Sequence, residues 1–518
     1  MKHLLKLLLV LLLLVGCTTQ TDDGFISRSE DELRDLLQDS NAEKLRGEIF
    51  YNIFPISFAD GNGDGYGDLQ GIIKSLDYLS EMGVKGLWLN PIHPSPSYHK
   101  YDVTDYYDID PQFGTLEDFK ELIQEVHDRD MVLIMDMVLN HSSSKHPWFI
   151  KAMNNEEDYD DYYIKAASRD EIPAQDKSAW YEYNGQYYYG SFWSEMPEFN
   201  LESDSVRKEF RDILSFWLDL GVDGFRYDAA KHAYDVNEYS AGTSTLRKNL
   251  QFWLEMKHHV KSENPEAYVI AEVWTDNKSM AYYTEAFDAL FNFDFGQGVI
   301  SSIRDQNSTA FLSPYIKGQK FFEEYPNYLD GIFLSNHDQP RIGSLLDGQW
   351  DLLRLGGSIL LTMPGNPYIY YGEELAYYGV KPDERIREPL KWDGYAEIQT
   401  PTWEDIQLNS NTPTVQEQLN DENSLLTHYQ VWGSYRRSSN VLKQGDFTNL
   451  MTGNQRIMAY TRSLNGETLL IVLNLSNNQQ QVDLEMSGTI EVNNKDNSLD
   501  GSLITLQPYG SIIIKVTP

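Results

Sequence analysis

Along the chain, short apolar runs alternate with longer stretches in which apolar residues recur every three to four positions. The runs at 49–54, 86–90, 131–139, 224–228, 268–274, 289–295, 331–335 and 359–371 have the length and aromatic or β-branched content of buried strands. Between most of them, 69–82, 116–129, 206–220 and 246–261 carry the period of amphipathic helices. Eight strands alternating with helices predict an α/β fold, a (β/α)8 TIM barrel, over 47–140 and 201–430. Such a core uses about 250 residues. The surplus falls on 141–200, a Tyr-rich irregular stretch that reads as a small domain inserted after the third strand. Beyond 431 the texture changes. The runs 457–462, 469–475, 481–486, 489–492 and 511–516 are β-type, separated by Asn, Gly and Asp turns, and predict a C-terminal antiparallel β-sandwich over 431–518. No internal repeat is present, which excludes solenoids and propellers.

The first residues follow another pattern. Lys2 and Lys6 precede an uninterrupted apolar run from Leu7 to Val15, and Gly16-Cys17 follows. This is the layout of a signal peptide, and the run is far short of the ~20 residues that span a bilayer. Residues 1–16 resemble a bacterial lipoprotein signal, which implies cleavage before Cys17 and a lipid on its thiol. An ordinary secretory signal with an incidental cysteine is the competing reading. The lipoprotein reading implies an exported protein, anchored to the cell membrane and facing outside the cytoplasm. Residues 17–46 are polar and acidic and read as a tether. Cys17 is the sole cysteine of the chain, so no intrachain disulfide framework exists.

Charge narrows the partners. There are 42 basic against 79 acidic side chains, a formal net charge of −37. A surplus of carboxylates repels phosphate, so nucleic acid is excluded as a partner. A neutral ligand or a cation suits this surface, and solubility alone would also explain it. The sequence leaves the oligomeric state open.

Barrel enzymes place their chemistry at the C-terminal ends of the strands. Four such ends carry acids: Asp136 to His141, Gly224 to His232, Glu272-Val273-Trp274, and Phe333 to Asp338. One rim carboxylate would mean little; four ends together are specific. In order and spacing they resemble the four signature regions of the α-amylase family of retaining glycoside hydrolases, and Met196 to Asn200 is similar to a fifth. The resemblance implies Asp228 as nucleophile, Glu272 as acid/base and Asp338 as the third catalytic carboxyl, which binds sugar hydroxyls. A retaining reaction needs two carboxyls ~5–5.5 Å apart. Arg226, two residues before Asp228 on the same strand face, would orient that carboxylate. His141 and His337 resemble donors to hydroxyls of the sugar being cleaved, and Asp136 a support. Tyr101 resembles the stacking floor under that sugar, and Asp102 the acid reaching its outer hydroxyls. Structural hydrogen bonds for the histidines and generic packing for Tyr101 compete with these roles.

Linkage is read from the residues after the nucleophile. Ala229, Lys231 and His232 resemble the α-1,4 pattern, with Lys231 and His232 on the leaving-group side. Met196 to Asn200 lies between the neopullulanase-like and oligo-1,6-glucosidase-like versions of its region. Ile49 follows Cys17 too closely for the additional N-terminal β-domain common among neopullulanases.

A second motif concerns metal. Asp60, Asn62, Asp64, Tyr66 (through its carbonyl) and Asp68, with Gly65 between, give oxygen ligands at alternate positions, as a Ca2+ loop does. Gly71 stands where an EF-hand needs Glu, and a strand precedes the loop, so this is not an EF-hand. It resembles the Ca2+ loop after the first strand in α-1,6-glucosidase-like members of the family. A Gly/Asp turn without metal competes. A second Ca2+ between Asn140 and the carbonyl of His232 is a further implication of the resemblance.

The reading is an α-amylase: retaining endo-hydrolysis of α-1,4 bonds in starch, glycogen and maltooligosaccharides. An exo-acting α-glucosidase, a maltogenic or a neopullulanase-like hydrolase is the alternative. A catalytically inactive glycan-binding lipoprotein stands third.

Overall fold

A computed structural model describes residues 41–172, 177–234, 243–325 and 327–517. Cys17, the signal segment and nearly all of the tether lie outside the described residues. Eight strands form a closed barrel: β1 Ile49–Ile53, β2 Val84–Leu89, β3 Val132–Met137, β4 Gly224–Tyr227, β5 Tyr268–Ala271, β6 Ala289–Asn292, β7 Leu329–Phe333 and β8 Asn366–Tyr370. All pairs are parallel, and β8 returns to β1 with Phe50 opposite Tyr368. Across β3 and β4, Asp136 stands opposite Arg226. That register puts an acid and a base on one inner face at the rim.

The amphipathic stretches become the helices Leu69–Glu81, Leu116–Asp128, Asp204–Asp219 and Thr243–Glu263. Their starts are set by side chains: Asp68 and Ser203 accept amides of the first turn, and Thr115 with Asp118 forms a reciprocal capping box. Among the described residues no helix is long and apolar enough to cross a membrane.

One predicted strand is corrected. The run 359–371 is the end of a helix, Trp350–Thr362, then a turn through Gly365 at φ +108, then β8. Leu355 to Thr362 are buried on all sides of the helix, which erases the polar face that would have betrayed its period.

The insertion contains a small antiparallel sheet of Lys165–Ala166, Gln186–Tyr189 and Trp180–Tyr183. The isolated bridge His141 to Glu198 stitches it to the segment just after β3, and the bridge Tyr163 to Phe199 closes the insertion on itself. At the C-terminus a five-stranded antiparallel sheet packs on a three-stranded one around Val472, Ile504, Leu506 and Ile514. Residue 431 lies inside the helix Leu425–Ser438, and the first strand of this region is Asp446–Asn449. Three of its strands, Asp446–Asn449, Ser498–Asp500 and Leu503–Leu506, are absent from the sequence reading because they are short and only partly buried.

Two arginines meet where the C-terminal sheets join the barrel, Arg436 on the preceding helix Leu425–Ser438 and Arg462 on the strand Ile457–Leu464. Arg436 donates to the carbonyls of Gly47, Leu361, Met363 and Gly365, and Arg462 to those of Thr362 and Gly445. Both are buried, and together they satisfy the carbonyl end of helix Trp350–Thr362.

Candidate active site

Arg226 on β4 organises the barrel mouth. Its Nη1 donates to Asp136 Oδ1 at 2.8 Å and to Asp228 Oδ1 at 2.7 Å, while Nη2 donates to Glu272 Oε2. One guanidinium thus ties the ends of β3, β4 and β5. It lies over the Trp88 ring, 5.1 Å from the centroid, and is buried. Burying a charge is costly unless it is paired, and here three carboxyls pair it.

The carboxyls differ in protonation. Burial pushes Glu272 up to about 8, with the negative charges of Asp228 and Asp338 adding to the effect and Arg226 opposing it. Burial likewise raises Asp136 to about 7 against the pull of Arg226. Asp338 goes the other way. Burial would raise it, but His337 and Arg387 outweigh that and hold it well below the usual carboxylate range. Its Oδ2 is 2.9 Å from His337 Nε2, and its Oδ1 accepts from Arg387 Nη2 at 3.0 Å.

Tyr101 joins this network. Its hydroxyl donates to Asp136 Oδ2 at 3.0 Å, lies 2.8 Å from His337 Nε2 and accepts from Asn90 Nδ2 at 3.1 Å. Its ring stacks on His337 at 5.7 Å and 10°. Asn90 Nδ2 also reaches His337 Nδ1 at 3.3 Å, so both ring nitrogens of His337 are engaged within the protein.

His141 differs. Asn140 donates its amide to the His232 carbonyl at 2.7 Å, which leaves Asn140 Oδ1 to accept from His141 Nδ1 at 3.1 Å. Nε2 is buried without a partner. Burial lowers this imidazole to about 4, so the ring is neutral at pH 7. With the proton on Nδ1, Nε2 is an acceptor, where the sequence reading had a donor. The same Asn140 contact joins the two groups assigned to a second Ca2+ directly to each other.

The remaining predicted residues are spread around this centre. Lys231 is exposed and donates to the Trp274 carbonyl at 3.4 Å; the His232 ring lies edge-on to Phe192 at 5.3 Å. Asp102 is turned into its own loop, where it accepts from the hydroxyls of Ser95, at 2.7 Å, and Ser97. It therefore satisfies its loop and does not point outward.

Arg387 is a site residue that the sequence reading missed. Besides Asp338 it donates through Nε to the His337 carbonyl at 3.0 Å and through Nη1 to Tyr98 Oη at 3.0 Å. It sits in the charged stretch Asp383 to Glu388, where nothing in the pattern separates one buried cation from the neighbouring solvated charges.

The Asp60 loop follows β1 and lies apart from the carboxylate network. Asp60 accepts from the amides of Gly63 at 2.6 Å and Gly65 at 2.9 Å; Asn62 and Asp64 each accept from the amide two residues on. Asp68 accepts from Gly61, Asn62 and Gly71. Among the described residues no group of three or more His, Cys, Asp or Glu is gathered to hold a metal. The donor set is nonetheless all oxygen, and each oxygen that accepts one amide keeps a second lone pair. Burial raises Asp68, a penalty that a cation would relieve. The residues fit Ca2+ in chemistry, with the side chains folded onto their own backbone.

Comparison with known proteins agrees with this geometry. The family described as alpha amylase, catalytic domain, matches residues 52–445, and that described as alpha-amylase SusG C-terminal domain matches 457–513. Alpha-amylase 3 of Dictyoglomus thermophilum is 38% identical over 92% of this chain and 94% of its own length. A 4-alpha-glucanotransferase of Thermotoga neapolitana is 30% identical over 83% of this chain and 96% of its own. The crystal structure of an alpha-amylase from H. orenii superposes with a TM-score of 0.83 at 34% identity, covering 90% of this chain and 99% of that one.

Proposed function

The chain belongs to the α-amylase family and is a glycoside hydrolase, and from that premise we propose that it cleaves internal α-1,4-glucosidic bonds of starch, glycogen and maltooligosaccharides with retention. The observation that carries the mechanism is the pair Asp228 and Glu272, held by one guanidinium, with the Glu272 carboxyl pushed up to about 8. Asp228 attacks the anomeric carbon, and Glu272 protonates the departing glycosidic oxygen. The resulting glycosyl ester on Asp228 is then opened by water, whose proton returns to Glu272. Asp338, kept ionised by His337 and Arg387, accepts hydroxyls of the bound sugar and favours its distortion. His141 Nε2 accepts another. Tyr101, carried on the network beneath the site, supplies an apolar face to the sugar ring.

The relatives' names differ in the group that accepts the glucosyl unit, so endo-hydrolysis is the finer part of the reading. Product lengths from amylose over time test it: oligosaccharides of intermediate length must precede maltose and glucose. Release of only one short product from the first minutes would replace the endo reading with the exo-acting one.

Two accessory features complete the reading. Asp60, Asn62, Asp64, the Tyr66 carbonyl and Asp68 would hold Ca2+, which when bound cross-links the loop to the start of helix Leu69–Glu81 and supplies no reacting group. A lipid on Cys17 anchors the enzyme outside the cytoplasm. Labelling by a fatty-acid probe that survives in Cys17→Ser would overturn the anchor.

A further inference from the structure

The polar network of the barrel mouth continues inward through two buried amides that touch no reacting atom, Asn52 on β1 and Asn90 just beyond β2. Asn52 Nδ2 donates to the Trp88 carbonyl at 3.3 Å and to Asn90 Oδ1 at 2.9 Å. A carbonyl oxygen only accepts, so the Trp88 carbonyl decides which end of the Asn52 amide faces β2. Asn52 in turn orients Asn90. With its oxygen engaged there, Asn90 presents Nδ2 to the site, where it donates to the Tyr101 hydroxyl at 3.1 Å and to His337 Nδ1 at 3.3 Å. Asn52 Oδ1 is buried and no protein group donates to it, so what this amide supplies is its donor.

The consequence falls on His337. An amide nitrogen offers hydrogens and no lone pair, so His337 Nδ1 accepts and the ring carries its proton on Nε2. Nε2 lies 2.9 Å from Asp338 Oδ2 and 2.8 Å from the Tyr101 oxygen, while the Tyr101 proton goes to Asp136 Oδ2. Every hydrogen between the Trp88 carbonyl and Asp338 is thereby assigned. The titratable and charged groups facing His337 are Asp338, Tyr101, Arg387 and Arg226. Burial lowers the imidazole and Asp338 opposes this; the Asn90 amide occupies the lone pair that a second proton would need.

We propose that Asn90, oriented by Asn52, is a positioning residue that holds His337 as a neutral imidazole with its single proton on Nε2, directed at Asp338. This rests on the glycosidase reading, in which Asp338 binds sugar hydroxyls. A neutral donor leaves Arg387 as the cation bonded to Asp338. An imidazolium would add a second one and weaken the carboxylate as an acceptor.

The test uses the whole enzyme labelled with 15N-histidine, with His337 assigned by the signals lost in His337→Gln. Nitrogen shifts separate a bare ring nitrogen from a protonated one. The wild type should show a bare Nδ1 and a protonated Nε2, with no second proton down to about pH 5, below the ordinary histidine range. Asn90→Asp sets an acceptor against Nδ1, so both nitrogens should be protonated at neutral pH. Asn52→Leu adds no charge and frees the Asn90 amide to turn; His337 should then take its second proton at a higher pH than in the wild type. In Asn90→Asp, kcat/KM for maltopentaose at neutral pH should fall about tenfold, the scale of one altered hydrogen bond to a charged group, and its ratio to the wild type should recover as pH rises through the His337 ionisation. A wild-type ring protonated on Nδ1 would overturn the proposal, as would a His337 titration in Asn90→Asp equal to that of the wild type. A lowered kcat/KM whose pH profile runs parallel to the wild type would mark a structural defect and overturn it too. Absence of maltopentaose hydrolysis by the wild type at every pH would overturn the glycosidase reading, and the nitrogen shifts would still decide the state of His337.

Discussion

Glu272 and Asp228 carry the same functional group and perform opposite tasks, so the environment of each must set its role. Burial and two neighbouring carboxylates make Glu272 a proton donor up to about pH 8. The alkaline limb of kcat/KM should therefore fall near that value, and activity should decline as pH rises through it because the donor is lost. Glu272→Gln is expected to lower hydrolysis of starch by about 10³-fold or more, and Asp228→Asn by a similar factor, with the far-UV spectrum and glucan binding retained. Turnover within tenfold of the wild type in either folded variant would sink the assignment, on the same scale. These residues were legible in the sequence because a strand end is a fixed place and the acids recur at several of them. Arg387 was not legible, because its role comes from a long-range contact with Asp338 that leaves no mark in the local pattern. Asp102 was placed near the site, but its orientation depends on two serines of its own loop, Ser95 and Ser97, that no periodicity reveals.

At the scale of elements, the Asp60 loop and the end of β8 make separate demands. Gly65 has φ +95, and a Cβ on Gly67 would meet the Pro55 carbonyl at 2.0 Å. Gly67→Ala should therefore destabilise the protein by about 2 kcal/mol or more, measured as a lower Tm. If the loop holds Ca2+, chelation should lower the wild-type Tm and leave Asp60→Asn/Asp68→Asn less affected; a wild-type Tm indifferent to EGTA would count against the metal. Just beyond β8, Glu373 and Glu374 are buried side by side, receiving hydroxyls from Tyr429 and Ser335 and from Tyr51 and Tyr78. Burial pushes Glu373 up to about 8, far above its value in the unfolded chain. Its protonated form then stabilises the fold fully below about pH 4.3, and this contribution is lost as pH rises toward 8. Glu373→Gln should flatten that fall in Tm between about pH 4.3 and 8. The strand that leads into this pair shows where sequence periodicity ends as a guide. The apolar run 359–371 reads as one strand, because a helix buried on every side and a buried strand carry the same uninterrupted pattern. The exposed-face helices were legible to within three residues at either end, and Leu116–Asp128 to within one, because water writes the period into them.

Over the whole molecule, the order of elements was readable, since alternation of strand and helix admits few topologies once the barrel closes. The attachment of the C-terminal sheets was not, because it combines apolar side chains shared with the barrel core, such as Tyr460, Leu469 and Leu473, with Arg462 aimed at a backbone carbonyl, and any residue supplies a carbonyl. Burial lowers Arg436 to about 9 and Arg462 to about 10, so both stay charged at neutral pH with no carboxylate in their hydrogen-bond sets. Arg462→Met should cost about 3 kcal/mol and lower the Tm of the barrel together with the sheets, in one transition. The net charge of −37 makes a different prediction: with a neutral substrate, KM for maltooligosaccharides should be nearly indifferent to added NaCl.

The two arginines also decide what a protease would do to this protein. A cut between the helix Asn440–Gln444 and the strand Ile457–Leu464 falls between Arg436 and Arg462. It would leave each half of the clamp on a separate fragment: Arg436 keeps its bonds to Leu361 and Met363 on the barrel side, while the Thr362 carbonyl comes to depend on Arg462 of a segment no longer covalently attached. A nick at this seam would therefore trade the covalent tie behind the Thr362 contact for a noncovalent one, and should lower the Tm of the cleaved enzyme.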